Sequence, residues 1–248
     1  MFSHGVSDVD GRPVAWRHRP GPGAPVLLLH GGLADGRTFD PMATHLSPEL
    51  ELWTFDRRGH GRTPDSPAPF SYTDMLAETV TVLGRAVDAP VHLVGHSDGA
   101  DLALLLAVTH PELVLSVSAF SANLDPSGYR AGSVTVDQMV AAVGSSRAEV
   151  SPDAPEHLPV VVAKVLHLWA TEPTMTADDV GRITCPVVVA AGSDDVVLPE
   201  HTAAIAASVP GAQLSIIPET SHMAITEDPA ACASLVTACI ARADRTTG

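Results

Sequence analysis

The sequence predicts an α/β fold: a mostly parallel, doubly wound sheet carrying a small helical cap. Apolar runs alternate with helical patterns along most of the 248 residues, as repeated strand–helix–strand units do. Runs such as "APVLLLHGG" (24–32) and "CPVVVAAG" (185–192) are apolar at consecutive positions, which suits strands covered on both faces. The rhythm breaks at 125–184, where helical patterns near 136–143, 155–169 and 176–183 are separated by Pro, Gly and Ser with no strand. That stretch reads as an insertion between two strands. The expected division is therefore a core of 1–124 and 185–248 with a helical insertion of 125–184.

Each element has its own signal. Residues 1–20 read as a hairpin around Asp10-Gly11, a favoured turn pair. A strand follows at 24–32, then a helix over 37–46, then the strand "ELELWTFD" and the Gly-rich loop "RRGHGRTPD". Ser71 or Thr73 caps a helix running to about Val87. Strand 91–95 leads into helix 99–109, and "LVLSVSAFSA" supplies a strand near 113–121. Beyond the insertion come strand 185–192, helix 200–208, strand "AQLSIIP" and a helix over 229–243.

Composition narrows the function classes. A net charge of −15 argues against nucleic acid and anionic membranes as partners. No run of 18 apolar residues marks a membrane span, and "MFSHGVSDVDGRP" lacks the regions of a signal peptide, so a cytoplasmic protein is expected. Cys185, Cys232 and Cys239 cannot all pair and contain no Cys-x-x-Cys. Lys164 is the only lysine and lies in an apolar helical stretch without a motif, which argues against Ser-Lys dyads, Schiff bases and P-loops. The 12 histidines show no metal-binding spacing, so neither metal nor cofactor is inferred.

The stretch "VHLVGHSDGADLALLLA" carries the chemistry. Gly95-His96-Ser97-Asp98-Gly99 places a serine between strand and helix, where small neighbours let the two pass closely. The helix N-terminus directs free N–H groups at developing negative charge. Such a serine needs a base oriented by an acid. "VVVAAGSDDVVLPE" offers Asp194 and Asp195 just past a strand, and "IIPETSHMA" offers His222 after the last one. One oxyanion donor is the N–H of Asp98. The other is assigned to Gly32 in "LLLHGGLADG", with Leu33 as fallback and His30 as a loop brace.

With His30-Gly31-Gly32, Asp56-Arg57-Arg58-Gly59-His60-Gly61, Gly95-His96-Ser97-Asp98-Gly99, Gly192-x-x-Asp195 and Ser221-His222, the chain resembles the α/β-hydrolase superfamily. These motifs span nearly the whole chain in the family's order. The closest look is to small capped serine hydrolases of the valacyclovir-hydrolase and meta-cleavage-product-hydrolase kinds. The resemblance implies that Asp195, the last residue of Gly-x-x-Asp, is the acid, with the alternative position near Asp125. It implies a catalytic set of Ser97, Asp195 and His222.

The expected activity is cleavage of a small-molecule carboxylic ester or lactone through an acyl-enzyme. The alternatives are a C–C bond hydrolase or other cofactor-free lyase on the same residues, or a ligand receptor without turnover. Hydrolysis of a vinylogous diketone but not of esters marks the lyase class. Stoichiometric binding without product marks the receptor. Leu33, Phe120, Asn123 and Trp169 are the expected substrate contacts, and most of "PEHLPVVVAKVLHLW" is expected to be cap core. Asp98 either faces the cleft, favouring a substrate ammonium, or caps its helix or pairs with a neighbour. Arg58 is expected to brace the oxyanion region, His167 to be a satisfied histidine, and the protein to be a monomer or homodimer.

Overall fold

The computed structural model describes residues 1–130, 132 and 134–247. β1 (Ser3–Val9) and β2 (Arg12–Arg19) form the hairpin across Asp10-Gly11. Then come β3 (Pro25–Leu29), β4 (Glu51–Phe55), β5 (Val91–His96), β6 (Val114–Phe120), β7 (Val187–Gly192) and β8 (Gln213–Ile217). They make one eight-stranded sheet in the order β1-β2-β4-β3-β5-β6-β7-β8. The β1–β2 and β2–β4 pairs are antiparallel, and all pairs from β4–β3 to β7–β8 are parallel.

Alternating side chains of the central strands go to opposite faces. Leu27, Leu29, Leu93, Val117 and Val189 join a cluster with α2 (Tyr72–Ala86) and α3 (Asp98–Thr109). Val26, Leu28, Val94, Phe120 and Ala190 join a second cluster with α1 (Asp40–Ala43), α8 (Ala224–Glu227) and α9 (Pro229–Thr247). Each of these Val, Leu and Phe side chains is worth roughly 1.5–3 kcal/mol when fully buried, so both faces of the sheet are held by burial. Ser71 caps α2 by accepting the Asp74 N–H at 3.1 Å.

The expected helix at 37–46 is shorter. Asp35 caps a 3-10 turn, Gly36–Phe39, and α1 then lasts one turn, which is enough to drop Phe39 and Met42 into the core. β7 starts at Val187 because Pro186 has no N–H for the ladder, so Cys185 lies outside it.

α4 (Val136–Ala148) and α5 (Leu158–Thr171) cover the carboxyl ends of the strands. α6 (Ala177–Val180) does not continue that cover. It packs against α3 and α7 (Pro199–Ser208), and Val180 and Ile183 are buried in the sheet's own core. The inserted stretch between β6 and β7 thus carries α4, α5 and α6.

Candidate active site

The turn between β5 and α3 holds Ser97 at φ 52°, ψ −126°, a region that L-residues avoid. Its close packing explains the glycines. A Cβ on Gly99 would run into the Leu29 carbonyl oxygen, and one on Gly95 into the Gly99 carbonyl. The Ser97 N–H donates to Phe120 O at 2.9 Å, which fixes the turn to β6.

The structure brings Ser97, His222 and Asp195 together. His222 Nε2 lies 3.0 Å from Ser97 Oγ, and His222 Nδ1 lies 2.7 Å from Asp195 Oδ1. A neutral imidazole protonated on Nδ1 satisfies both contacts, donating to the carboxylate and accepting from the hydroxyl. Asp195 is buried, whereas Asp194 is exposed and bonds only to Ser193 within that loop's side chains. Burial pushes the Asp195 carboxyl up. The hydrogen bond and charge of His222, with donors from Ser121 and Val197, outweigh that and hold it below the usual carboxylate range. Asp125 instead caps the next 3-10 turn through the Ser127 N–H at 2.8 Å.

The loops that carry these groups are stitched together by backbone. Asp194 N–H donates to Thr220 O at 2.9 Å, and Ser193 N–H to Ile217 O at 3.0 Å. His96, beside the serine, donates from Nε2 to the His222 carbonyl at 2.8 Å. Burial and the neighbouring His222 push the His96 ring down to about 3, so it stays neutral and keeps that donor. His30 braces its loop as expected. Its Nδ1–H donates to Gly31 O at 2.7 Å, and its Nε2 accepts the Arg57 N–H at 3.1 Å. Leu33, Ser97, Ser121 and Glu219 all have φ between 52° and 58° without being glycine. Strained backbone is thus concentrated in the loops after β3, β5, β6 and β8.

A cavity of about 540 Å³ opens over Ser97 and His222. Gly31, Gly32 and Leu33 form one wall, and Met139, Val143, Val150, Trp169 and Met223 give it apolar surface. Arg37 stands at its edge with its charge spent on Asp35 at 2.9 Å and Glu149 at 2.7 Å. Gly32 packs so near the Asp98 carboxyl and Trp169 that a Cβ there would collide with both.

Three expectations need correction, at Phe120, Asn123 and Arg58, whereas Asp98 takes the second of its two expected roles, pairing with a neighbour. Phe120 does not line the cavity, because strand alternation sends its ring into the α1–α9 face of the sheet. Asn123 does not either: its N–H donates to Asp101 Oδ1 and its Nδ2 to Asp125 O, inside the protein. The Asp98 side chain is fully buried away from the cavity, with Oδ1 accepting the Trp169 Nε1–H at 2.7 Å. Arg58 braces Ser66, Ala68 and Pro69, while it is Arg57 that bonds to the His30 carbonyl behind the glycine loop. His167 is exposed on the outer side of α5.

Two contributors escape sequence reasoning. Ser121 donates from Oγ to Asp195 Oδ2 at 2.5 Å. The Tyr129 hydroxyl interacts with Ser97, and burial together with Asp101 and Asp98 keeps that phenol well above its ordinary value. Neither has a motif. Each depends on where a loop turns in space. Among the described residues no group of His, Cys, Asp and Glu has a metal-binding arrangement, and no helix is long and apolar enough to cross a membrane.

Known proteins share this frame. The chain is 25% identical to the "Putative carbamate hydrolase RutD" of Pseudomonas savastanoi pv. phaseolicola over 233 residues, covering 83% of this chain and 90% of that one. It is 32% identical to lipase LipV of Mycobacterium tuberculosis over 154 residues, 62% of this chain and 54% of the lipase. The fold superposes on the enol-lactonase of Burkholderia xenovorans LB400 with a TM-score of 0.78 at 18% identity, covering 96% of this chain and 100% of the other. The CarC serine hydrolase of carbazole degradation gives a TM-score of 0.79 at 20% identity, covering 97% and 99%. Residues 26–235 match the alpha/beta hydrolase family, and the chain belongs to that family.

Proposed function

We propose that this protein is a serine hydrolase that cleaves a small, uncharged carboxylic ester or lactone through an acyl-enzyme on Ser97. The observation that carries the reading is the continuous chain from Ser97 Oγ to His222 at 3.0 Å and on to Asp195 at 2.7 Å, set on a strained turn beneath a cavity. His222 takes the Ser97 proton as Oγ attacks the carbonyl carbon. The N–H groups of Gly32 and Asp98 hold the oxyanion. Asp195 stabilises the imidazolium, which then protonates the leaving oxygen. A water deprotonated by His222 releases the acid and restores Ser97.

The uncharged substrate follows from the lining. Most of the cavity's surface is apolar, the Arg37 and Arg147 that reach it are paired with carboxylates, and the Asp98 carboxylate is buried against Trp169. Carbamate cleavage is the second reading, favoured by similarity to RutD over most of both chains.

The test is a panel of p-nitrophenyl esters with neutral and aminoacyl groups, a lactone and a carbamate, on wild type and Ser97→Ala. Neutral esters or the lactone should turn over faster than aminoacyl esters, and Ser97→Ala should lose the activity. Preferred turnover of the carbamate would establish the second reading. Equal turnover by Ser97→Ala would remove both.

A further inference from the structure

Ser121 follows β6 directly and is 1% exposed. Its Oγ donates to Asp195 Oδ2 at 2.5 Å, while Oδ1 receives His222 Nδ1 at 2.7 Å and the Val197 N–H at 3.0 Å. Both oxygens of the carboxylate are thus engaged. An O–H···O⁻ contact of this length belongs to the strong, charge-assisted class.

The backbone makes the serine informative. Ser121 has φ 56°, a conformation that glycine adopts freely and serine only under strain. A strained non-glycine residue in a site points to use of its side chain. The same strand end also braces the nucleophile. Phe120 O accepts the Ser97 N–H at 2.9 Å, and the Ser121 N–H reaches Ala190 O in β7 at 2.7 Å. Two consecutive residues therefore set the backbone of the serine turn and the side chain of the acid.

We infer that Ser121 is a positioning residue of this site: its hydroxyl fixes the Asp195 carboxylate in the orientation that holds His222 toward Ser97. This rests on the serine-hydrolase reading above. The other ionisable groups against Asp195 are His222, His96 at the end of β5, and Tyr129 and Arg130 in the segment after β6. Arg130 bonds to the Asp195 backbone oxygen at 2.7 Å, so the carboxylate's Oδ2 is left to the serine hydroxyl.

The test uses the pH dependence of fluorophosphonate labelling at Ser97, which needs no known substrate. Wild type is compared with Ser121→Gly, which relaxes the backbone and removes the hydroxyl, and Ser121→Thr, which keeps a hydroxyl but strains the backbone further. Ser121→Gly should still fold, the relaxed backbone offsetting part of the lost hydrogen bond, yet label roughly 10-fold or more slowly, as when the outer partner of a metal ligand is removed. Its acid limb should move to higher pH, because a carboxylate stripped of one donor holds the protonated base more tightly. Ser121→Thr should lose Tm while keeping the wild-type limb. A Ser121→Gly enzyme with the wild-type rate and limb would overturn the inference and leave the hydrolase reading standing. A folded wild type that takes no label at Ser97 would overturn both.

Discussion

The ends of the central strands and the helical cover above them are built by different means. At the strand ends, the loops are held largely through backbone groups. Ser97 hangs from Phe120 O, Asp194 from Thr220 O, and His96 grips the His222 carbonyl. The cover is tied down mainly by side chains. Lys164 pairs with Asp65 at 2.6 Å, Arg147 donates to Gly59 O at 2.6 Å, Arg37 bridges to Glu149, and Trp169 reaches Asp98. The strained turns and close main-chain packing at the strand ends tolerate few residue types, whereas side-chain ties tolerate many arrangements. The reactive groups are therefore constrained tightly, and the surface that meets the substrate is free to vary.

The largest expected effect comes from attacking the backbone packing. Gly99→Ala forces a methyl group into the Leu29 carbonyl. It should cost roughly 3 kcal/mol or more, or prevent folding, because main chain cannot yield as a side chain does. Chemical denaturation reads this directly. A loss within about 0.5 kcal/mol, the range of neutral surface changes, would show that strand and helix are not as tightly apposed as described.

A smaller effect should come from the tie between cap and core. Trp169→Phe keeps a ring on the cavity wall but deprives the buried Asp98 of its donor. The expected loss is about 1–3 kcal/mol, the cost of leaving a buried polar group unsatisfied. Asp98→Asn retains an acceptor for Trp169 and should lose less. It should also leave the ratio of neutral to aminoacyl ester turnover unchanged. A selective loss of aminoacyl turnover in Asp98→Asn would show that the carboxylate meets a substrate ammonium after all.

The same contrast explains what the sequence makes legible. The parallel sheet is visible because strands covered on both faces must be apolar at consecutive positions, as in β3 and β7. Ser97, Asp195 and His222 stand out because each lies just past a strand and carries a polar or ionisable group, with glycines enforced around the serine. Phe120 and Asn123 are misread because position near a strand end does not say which face a side chain takes or whether a loop has already satisfied it. Ser121, Tyr129 and the role of Arg57 are silent for the complementary reason. Their partners lie 74, 32 and 27 residues away, at Asp195, Ser97 and His30, and only the folded loops bring them into contact.

If the strand ends activate one serine, a small serine-directed reagent should mark it alone. The direct measurement is intact and peptide mass after exposure to a small fluorophosphonate, for wild type, Ser97→Ala and His222→Ala. A single adduct on Ser97 is expected in wild type, none in Ser97→Ala, and labelling slowed by roughly 10³-fold or more in His222→Ala, as when one member of such a set is removed. A folded wild type that stays unlabelled, or an adduct on another residue, would contradict the account.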